Sequence, residues 1–165
     1  GHRHPEVPGS VMAPSTSYGR RLLALFALVA VIGALQWPLV IPMTESVRYH
    51  LLMLDPGPLH TGDYVNLPMR HPLIDADKTV ILTKRIACRA GHQLEFRRGV
   101  HYCDGRALGT VLARTRDGDA LTPFKWSGTV PPGAVFVSGD HVRSFDSRYF
   151  GFVPEAALTR LRPLL

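Results

Sequence analysis

The stretch SGDHVRSFDSRYFGFVP, residues 138–154, decides how the rest of the chain is interpreted. Between its two glycines it is crowded with small, acidic, hydroxyl and basic side chains, whereas an ordinary surface loop carries scattered polar residues. The preceding sequence, PPGAVFVS at residues 131–138, predicts a turn followed by a buried strand. The polar segment therefore directly follows a predicted buried strand.

Further short strands are predicted upstream of this stretch. Residues 80–87 are rich in β-formers, and the runs at 93–96 and 100–103 flank a turn. Another strand is expected at 46–54, and a short terminal helix is expected at 154–165. Strands separated by turn signals about every eight to twelve residues predict a mostly antiparallel β domain.

One lysine falls on an apolar face of these strands. Alternate residues of a strand lie on the same face of a sheet. In the predicted strand at 80–87, one face therefore carries Val80, Leu82, Lys84 and Ile86. Only three of the 19 basic residues are lysines, so few can act as a base. Lys78 lies beside acidic residues and is expected to be an exposed turn residue, while Lys125 follows no motif.

The segment before the β domain has a different composition. Residues 22–44 carry no charge, and about 20 apolar residues suffice to cross a bilayer as a helix. The pattern predicts a transmembrane anchor at residues 22–43. A cleaved secretory signal is the alternative, although Gln-Trp-Pro at the end of the apolar run is a poor small-residue cleavage site.

The flanking charges predict an orientation for this anchor. Arg20 and Arg21 precede it without a neighbouring acid, so the positive-inside rule places residues 1–21 in the cytoplasm. Residues 44–165 would then lie outside the cytoplasm, in the periplasm of a bacterium. Residues 1–11 resemble upstream or non-native sequence, and we expect Met12 to be the start.

The net charge of +6 does not indicate a nucleic-acid-binding protein. Its arginines are dispersed, without a long basic run and without interleaved aromatic side chains for stacking. No metal site is predicted either, because the two cysteines do not form a CxxC pair and no paired histidines accompany them. We expect no cofactor.

The two cysteines, Cys88 and Cys103, could close a disulfide. In the chain-entropy description such a bond contributes roughly 3 kcal/mol for a loop of this size, and it persists in oxidising compartments. The predicted location outside the cytoplasm favours the disulfide. Two unpaired buried thiols are the alternative.

Four blocks of the chain resemble, in the same order, those of type I signal peptidases. They are Thr44-Glu45-Ser46-Val47, Gly62-Asp63-Tyr64-Val65, Lys84-Arg85-Ile86 followed by Ala90-Gly91, and the S-x-D-S-R-Y-x-G-F-V-P block at 144–154. Within that superfamily, the regions around Ser46 and around the two cysteines are more similar to the TraF-type conjugative-transfer peptidases. The resemblance covers most of the chain beyond the anchor and implies an antiparallel signal-peptidase-like β domain.

The resemblance also implies a serine–lysine dyad. Ser46 matches the nucleophile and Lys84 the general base, which must be neutral to accept the serine proton. Burial among apolar groups lowers a lysine pKa, as the expected face of Lys84 would provide. The hydroxyl of Thr44 matches a family position that donates to the oxyanion, together with the Ser46 backbone N–H.

The last block implies supporting roles around this dyad. Ser144 matches a residue that orients the lysine, and Asp146 and Arg148 match a supporting ion pair. In the TraF-like enzymes the matching aspartate is implicated in activity itself, so Asp146 is the third predicted catalytic residue. A purely structural Asp–Arg pair is the alternative.

The resulting prediction is a membrane-anchored serine endopeptidase that cleaves exported precursors at small-residue sites. The TraF-like resemblance implies a conjugative pilin precursor as substrate, with cyclisation through the acyl-enzyme where a peptide amine replaces water. One alternative is a non-catalytic anchored β domain in a conjugation or secretion channel. Another is a self-cleaving regulator with the same dyad, although the chain has no DNA-binding segment.

Overall fold

The structure, a computed structural model, describes residue 1 and residues 16–34, 39–42 and 47–165. The chain divides into two compact units, Gly1–Trp37 and Pro38–Leu165. The first contains helix α1 (Thr16–Ala34), which includes Arg20 and Arg21.

Within the described residues, no helix combines the length and the apolar character needed to cross a membrane. The anchor predicted over residues 22–43 is therefore not confirmed. Residues 35–38 and 43 of that segment lie outside the described part of the chain.

The second unit is built almost entirely from strands. In chain order they are β1 (Leu39–Val40), β2 (Leu52–Leu54), β3 (Tyr64–His71), β4 (Asp75–Arg89), β5 (Gln93–Arg97), β6 (Val100–Cys103), β7 (Arg106–Thr110), β8 (Ser127–Thr129), β9 (Ala134–Ser138), β10 (Val153–Pro154) and β11 (Thr159–Pro163). The short helix α2 (Ser147–Phe150) and a 3-10 turn at Glu155–Ala157 follow β9 and β10. These bounds confirm the predicted strands at 80–87, 93–96 and 100–103.

The strands form two antiparallel sheets. The larger has the order β1-β2-β11-β3-β4-β9-β10, and the smaller has the order β7-β6-β5-β8. Every pairing between these strands is antiparallel, which confirms the predicted antiparallel β domain. A disulfide between Cys88 of β4 and Cys103 of β6 joins one sheet to the other.

The core of the larger sheet is aliphatic. Its buried residues are Val65, Leu67, Ile86, Val135, Val137 and Val153. Along β4, Lys84 and Ile86 are buried and Val80 and Leu82 are partly buried, whereas Ile81, at the opposite parity, is 60% exposed. The alternation predicted for this strand is confirmed, and it turns Lys84 toward the protein interior.

The terminal helix predicted at 154–165 is wrong beyond its first turn. After the 3-10 turn the chain extends into β11, which pairs with β2 on one side and β3 on the other. Leu161 is buried between them at 2% exposure. The helix does not continue past Glu155–Ala157 because the backbone of β11 gains hydrogen bonds from strands on both of its sides.

The strand predicted at 46–54 is shorter than expected. Of residues 47–54, the part of it that the structure describes, only Leu52–Leu54 forms a strand. The backbone N–H groups of His50 and Leu51 instead donate to the carbonyl oxygen of Leu165, at 2.9 and 3.2 Å. This end of the predicted strand is bonded to the end of the described chain, a long-range contact that local sequence does not reveal.

Candidate functional site

Lys84 is a buried lysine held by a hydroxyl group. Its side chain lies within the protein at 2% exposure, and its Nζ donates a hydrogen bond to Ser144 Oγ at 2.9 Å. Burial lowers the pKa of Lys84 from its ordinary value near 10.5 to about 8, because desolvation disfavours the charged form. The nearby Asp146 charge opposes this effect and the Arg148 charge adds to it. A substantial neutral fraction near pH 8 makes Lys84 competent as a base.

Ser144 is fixed by its own backbone. Its N–H donates to the carbonyl oxygen of His141 at 3.0 Å, and its carbonyl oxygen accepts from Arg148 Nη2 at 3.0 Å. Ser144 is itself buried. The hydroxyl that meets Lys84 therefore comes from a loop with little freedom to move. The structure brings together the lysine and its predicted orienting partner.

Asp146 and Arg148 form a fully buried, two-pronged ion pair. Arg148 Nε donates to Asp146 Oδ1 and Nη2 to Oδ2, each at 2.8 Å. Asp146 also accepts from the N–H of Arg148, which caps helix α2, and from the N–H of Gly139 at 2.9 Å. Both carboxylate oxygens are thus occupied by donors, as a buried charge requires.

Arg148 extends this brace to the smaller sheet. Its Nη1 donates to the carbonyl oxygen of Thr110, at the end of β7, at 2.9 Å and to that of Val142 at 3.2 Å. The pair therefore contacts both the Ser144 loop and the smaller sheet. The separate prediction that Asp146 takes part in catalysis stays a prediction.

Gly151 closes the polar segment with a conformation that favours glycine. Its φ is 82°, and a Cβ at this position would stand 2.9 Å from the Phe124 ring. Any larger residue would meet both backbone strain and a packed aromatic side chain. The glycine lets the chain turn from α2 into β10.

A mainly apolar cavity of about 400 Å³ has Lys84 among its lining residues. Residues 39–42 form one wall and β4 the other. The lining residues are Leu39, Val40, Ile41, Pro42, Asn66, Ile81, Leu82, Thr83 and Lys84. An apolar cavity of this kind suits a short peptide segment with small side chains.

The predicted nucleophile and its oxyanion partner, Ser46 and Thr44, lie outside the described residues. Both assignments therefore stay predictions. The first described residue after them is Val47, which is buried at 5% exposure.

Sequence reasoning missed a second acidic centre in the polar segment. Asp140 Oδ2 accepts hydrogen bonds from the Tyr64 hydroxyl at 2.6 Å and from the Arg48 N–H at 3.1 Å. The sequence signal for this centre was the Gly-Asp pair at residues 139–140, within the polar segment at 138–154. Its partners could not be read from sequence because they lie far away along the chain.

The structure brings Cys88 and Cys103 together as a disulfide, with their Cα atoms 5.8 Å apart. Among the described residues, His92, Cys103 and Asp104 have ligand-type atoms close together. The Cys103 sulfur is bonded to Cys88, however, so it does not offer the thiolate that a metal ion requires.

Comparison with known proteins gives a family and two relatives. The family described as signal peptidase, peptidase S26, matches residues 4–160. The conjugal transfer protein TraF of Agrobacterium tumefaciens strain 15955 is 38% identical over 86 residues, which make up 50% of this chain and 48% of the relative. The conjugal transfer protein TraF of Agrobacterium fabrum strain C58 is 45% identical over 56 residues, 33% of this chain and 31% of the relative. The chain thus spans less than half the length of these curated relatives.

A crystal structure of a signal peptidase I from Enterococcus faecalis V583 is also similar. It shares 25% sequence identity with this chain, covering 67% of it and 99% of the solved chain, at a TM-score of 0.41. The family match does not depend on this likeness.

Proposed function

Because this chain belongs to the signal peptidase family, peptidase S26, we propose that it is a serine endopeptidase in which Lys84 activates Ser46. The observation that carries the proposal is the buried amine of Lys84, with its pKa lowered to about 8 and its Nζ held by Ser144. An exposed lysine would be almost entirely protonated at neutral pH and could not accept a proton.

The reaction proceeds in two steps through an acyl-enzyme. Neutral Lys84 accepts the Ser46 hydroxyl proton while Ser46 Oγ bonds to the scissile carbonyl carbon. The carbon–nitrogen bond then breaks, and Lys84 delivers its proton to the leaving amine. A second nucleophile next attacks the ester carbon and loses its proton to Lys84; the ester carbon–oxygen bond then breaks, and Lys84 returns the proton to Ser46 Oγ.

The substrate in this proposal is an exported precursor with small residues before the cleavage site. The apolar cavity beside Lys84 supports this, because its wall at residues 39–42 and strand β4 leave space for short side chains. The relatives named as conjugal transfer proteins support a role in conjugation, and we propose a conjugative pilin precursor as the substrate in that role.

The second nucleophile determines the product. Water gives a hydrolysed peptide, whereas the amino group of the same peptide chain would close a ring through a new amide bond. The bracing of the Ser144 loop serves either outcome, since both need Lys84 in the same position. The products of hydrolysis and of cyclisation can be distinguished by mass, because the cyclic product is one water lighter than the hydrolysed peptide.

A location at the inner membrane, with the second unit outside the cytoplasm, is also part of the proposal. The uncharged run at residues 22–44 and the preceding Arg20 and Arg21 support it. The disulfide supports it as well, because such bonds persist in oxidising compartments. A cytoplasm-dependent reporter fused after Leu165 should be inactive, and an active reporter would contradict this topology.

The central experiment is precursor processing by the wild type and by Ser46→Ala and Lys84→Ala. Each substitution should lower the rate about a thousandfold or more, because nucleophile and base act as a unit. Lys78→Ala is the matched control, since Lys78 is exposed and outside the site. Mass spectrometry of the wild-type product identifies hydrolysis or ring closure.

Two outcomes would contradict the proposal. Processing at the wild-type rate by Ser46→Ala or by Lys84→Ala would show that the proposed Ser46–Lys84 dyad is wrong. Absence of processing by the wild type, with its pilin precursor supplied in the same membrane, would instead favour the non-catalytic channel component.

A further inference from the structure

We propose that Asp140 and Tyr64 form a clamp that positions Ser46 for its reaction with Lys84. The term clamp refers below to the Asp140 carboxylate and the Tyr64 hydroxyl. The inference rests on the proposed function, because it assigns these two residues a role in bringing nucleophile and base together.

The carboxylate of Asp140 joins three parts of the chain. Its Oδ2 accepts from the Tyr64 hydroxyl of β3 at 2.6 Å and from the Arg48 N–H at 3.1 Å. Its Oδ1 faces Arg85 Nε at 3.4 Å, and the Asp140 side chain is only 12% exposed. Hydrogen bonds to a charged acceptor with little solvent around it are stronger than those between neutral groups.

The far side of Asp140 is tied to the Lys84 site. The neighbouring Gly139 donates its N–H to Asp146, whose partner Arg148 binds the carbonyl oxygen of Ser144. The Ser144 hydroxyl in turn accepts from Lys84. A continuous set of hydrogen bonds and one peptide link therefore connects the Arg48 backbone to the buried amine.

Tyr64 holds the same segment by packing. Val47, Leu52, Tyr64 and Leu161 form one buried apolar cluster, and the Tyr49 ring meets the Tyr64 ring edge-on at 5.3 Å. Residues 47–49 are thus held in two ways: positions 47 and 49 pack with Tyr64, and the Arg48 N–H bonds to the clamp carboxylate of Asp140.

Covalent geometry passes this constraint on to Ser46. Ser46 is one peptide bond from Val47, and consecutive Cα atoms lie about 3.8 Å apart. Proton transfer needs the two heavy atoms within about 3 Å, and a misplacement of about 1 Å costs on the order of 100-fold in rate. A short tether from a fixed Val47 and Arg48 is a direct way to meet that tolerance.

The chemistry of the clamp suggests a graded set of variants. Tyr64→Phe removes one oxygen and keeps the ring packing. Asp140→Asn keeps an oxygen that can accept from both Tyr64 and Arg48, whereas Asp140→Ala removes the acceptor. Tyr102→Phe and Asp55→Asn are matched controls, since Tyr102 lies in the smaller sheet and Asp55 pairs with Arg160.

Steady-state kinetics on the processed precursor should separate positioning from binding. Tyr64→Phe and Asp140→Ala should lower kcat about tenfold with KM within about twofold of wild type, because only the transition state requires the fixed Ser46. Asp140→Asn should recover most of the lost rate. Equal losses in Asp140→Asn and Asp140→Ala, or a change confined to KM, would overturn the clamp.

A second measurement does not need turnover. In a Ser46→Cys background, the pH dependence of alkylation by iodoacetamide reports the pKa of the new thiol, and the native cysteines are protected in their disulfide. Adding Lys84→Ala should shift this thiol pKa, and adding Tyr64→Phe should shift it in the same direction by a smaller amount. Denaturation midpoints establish that each variant is folded.

The two hypotheses fail differently in this experiment. A thiol pKa unaffected by Lys84→Ala would overturn the dyad of the proposed function. A thiol pKa that responds to Lys84→Ala but not to Tyr64→Phe or Asp140→Ala would leave the dyad intact and overturn the clamp.

Discussion

The Nζ atom of Lys84 lies 2.9 Å from the hydroxyl oxygen of Ser144, and the two residues are 60 positions apart along the chain. β4 supplies the amine and the loop between β9 and α2 supplies the hydroxyl. Since both side chains are buried, the contact orients the amine where solvent cannot compete for it. This relationship leads to several measurable consequences.

The reaction rate should follow the ionisation of Lys84. The pKa of about 8 means that the neutral base becomes scarcer with each step below that pH. We expect kcat/KM to rise about tenfold for each pH step of about one below pH 8 and to level off above it. A pH–rate profile on the processed precursor measures this, and a flat profile between pH 6 and 9 would contradict it.

Replacing Lys84 with methionine should stabilise the folded protein near neutral pH. The folded protein releases the Lys84 proton near pH 8, whereas the unfolded chain keeps it until near 10.5. Below pH 8 the folded state bears the full cost of the buried charge, and this cost disappears as pH rises toward 10.5. The advantage of Lys84→Met should thus shrink by up to about 3 kcal/mol across that interval.

Denaturant unfolding of wild type and Lys84→Met at pH 7 and pH 10.5 tests this dependence. Lys78→Met serves as the control, because Lys78 is exposed and should show no such pH dependence. If the stability advantage of Lys84→Met over wild type increased with pH, the prediction would be contradicted.

Ser144→Ala should impair the reaction without unfolding the protein. The substitution removes the oxygen that accepts from Lys84 and leaves the loop backbone bonds in place. We expect kcat to fall about tenfold, in line with the loss of one hydrogen bond that orients a charged group. The pH–rate profile should move as well, because that bond stabilises the protonated amine.

Ser147→Ala provides the comparison for this variant. Its hydroxyl accepts from the Val137 N–H at 2.9 Å and supports β9. Its loss should lower stability by about 1 kcal/mol with an unchanged pH–rate profile. Identical pH–rate profiles for Ser144→Ala and wild type would contradict the proposed role of Ser144 in orienting Lys84.

Arg148→Ala should be among the most destabilising single substitutions in the chain. It leaves the carboxylate of Asp146 buried without its guanidinium partner, which costs about 3–5 kcal/mol in comparable pairs. Arg97→Ala is the control, because the Arg97–Glu95 pair is exposed and 3.9 Å apart. That control should change stability by less than about 1 kcal/mol. Similar losses in both variants would contradict the bracing role.

Reduction of the disulfide should destabilise the second unit. Cys88 and Cys103 are 15 positions apart and join β4 to β6, so the bond restricts the unfolded chain and links the two sheets. We expect a loss of roughly 3 kcal/mol. Thermal denaturation with and without a phosphine reductant measures it, and a Cys88→Ala/Cys103→Ala double variant should reproduce the reduced protein.

Local sequence patterns were sufficient for much of the second unit. The period-two alternation in β4 placed Lys84 on the buried face, and turn signals located β5 and β6. They failed at β11, where the predicted terminal helix stops after the Glu155–Ala157 turn and the observed strand depends on pairing with β2 and β3. Pairing partners that are distant in sequence leave no local signal.

The residue types of the candidate site can be identified from the amino-acid sequence: a lysine on an apolar strand face, a serine and an Asp–Arg pair in one polar segment, and two cysteines. Their partners are visible only in the folded protein, where Ser144 meets Lys84, Asp146 and Arg148 bind each other, and Asp140 holds Tyr64 and the Arg48 backbone. A side chain's chemistry belongs to its residue, but its pKa and its partners depend on the solvent excluded and the charges brought near by segments distant in the chain.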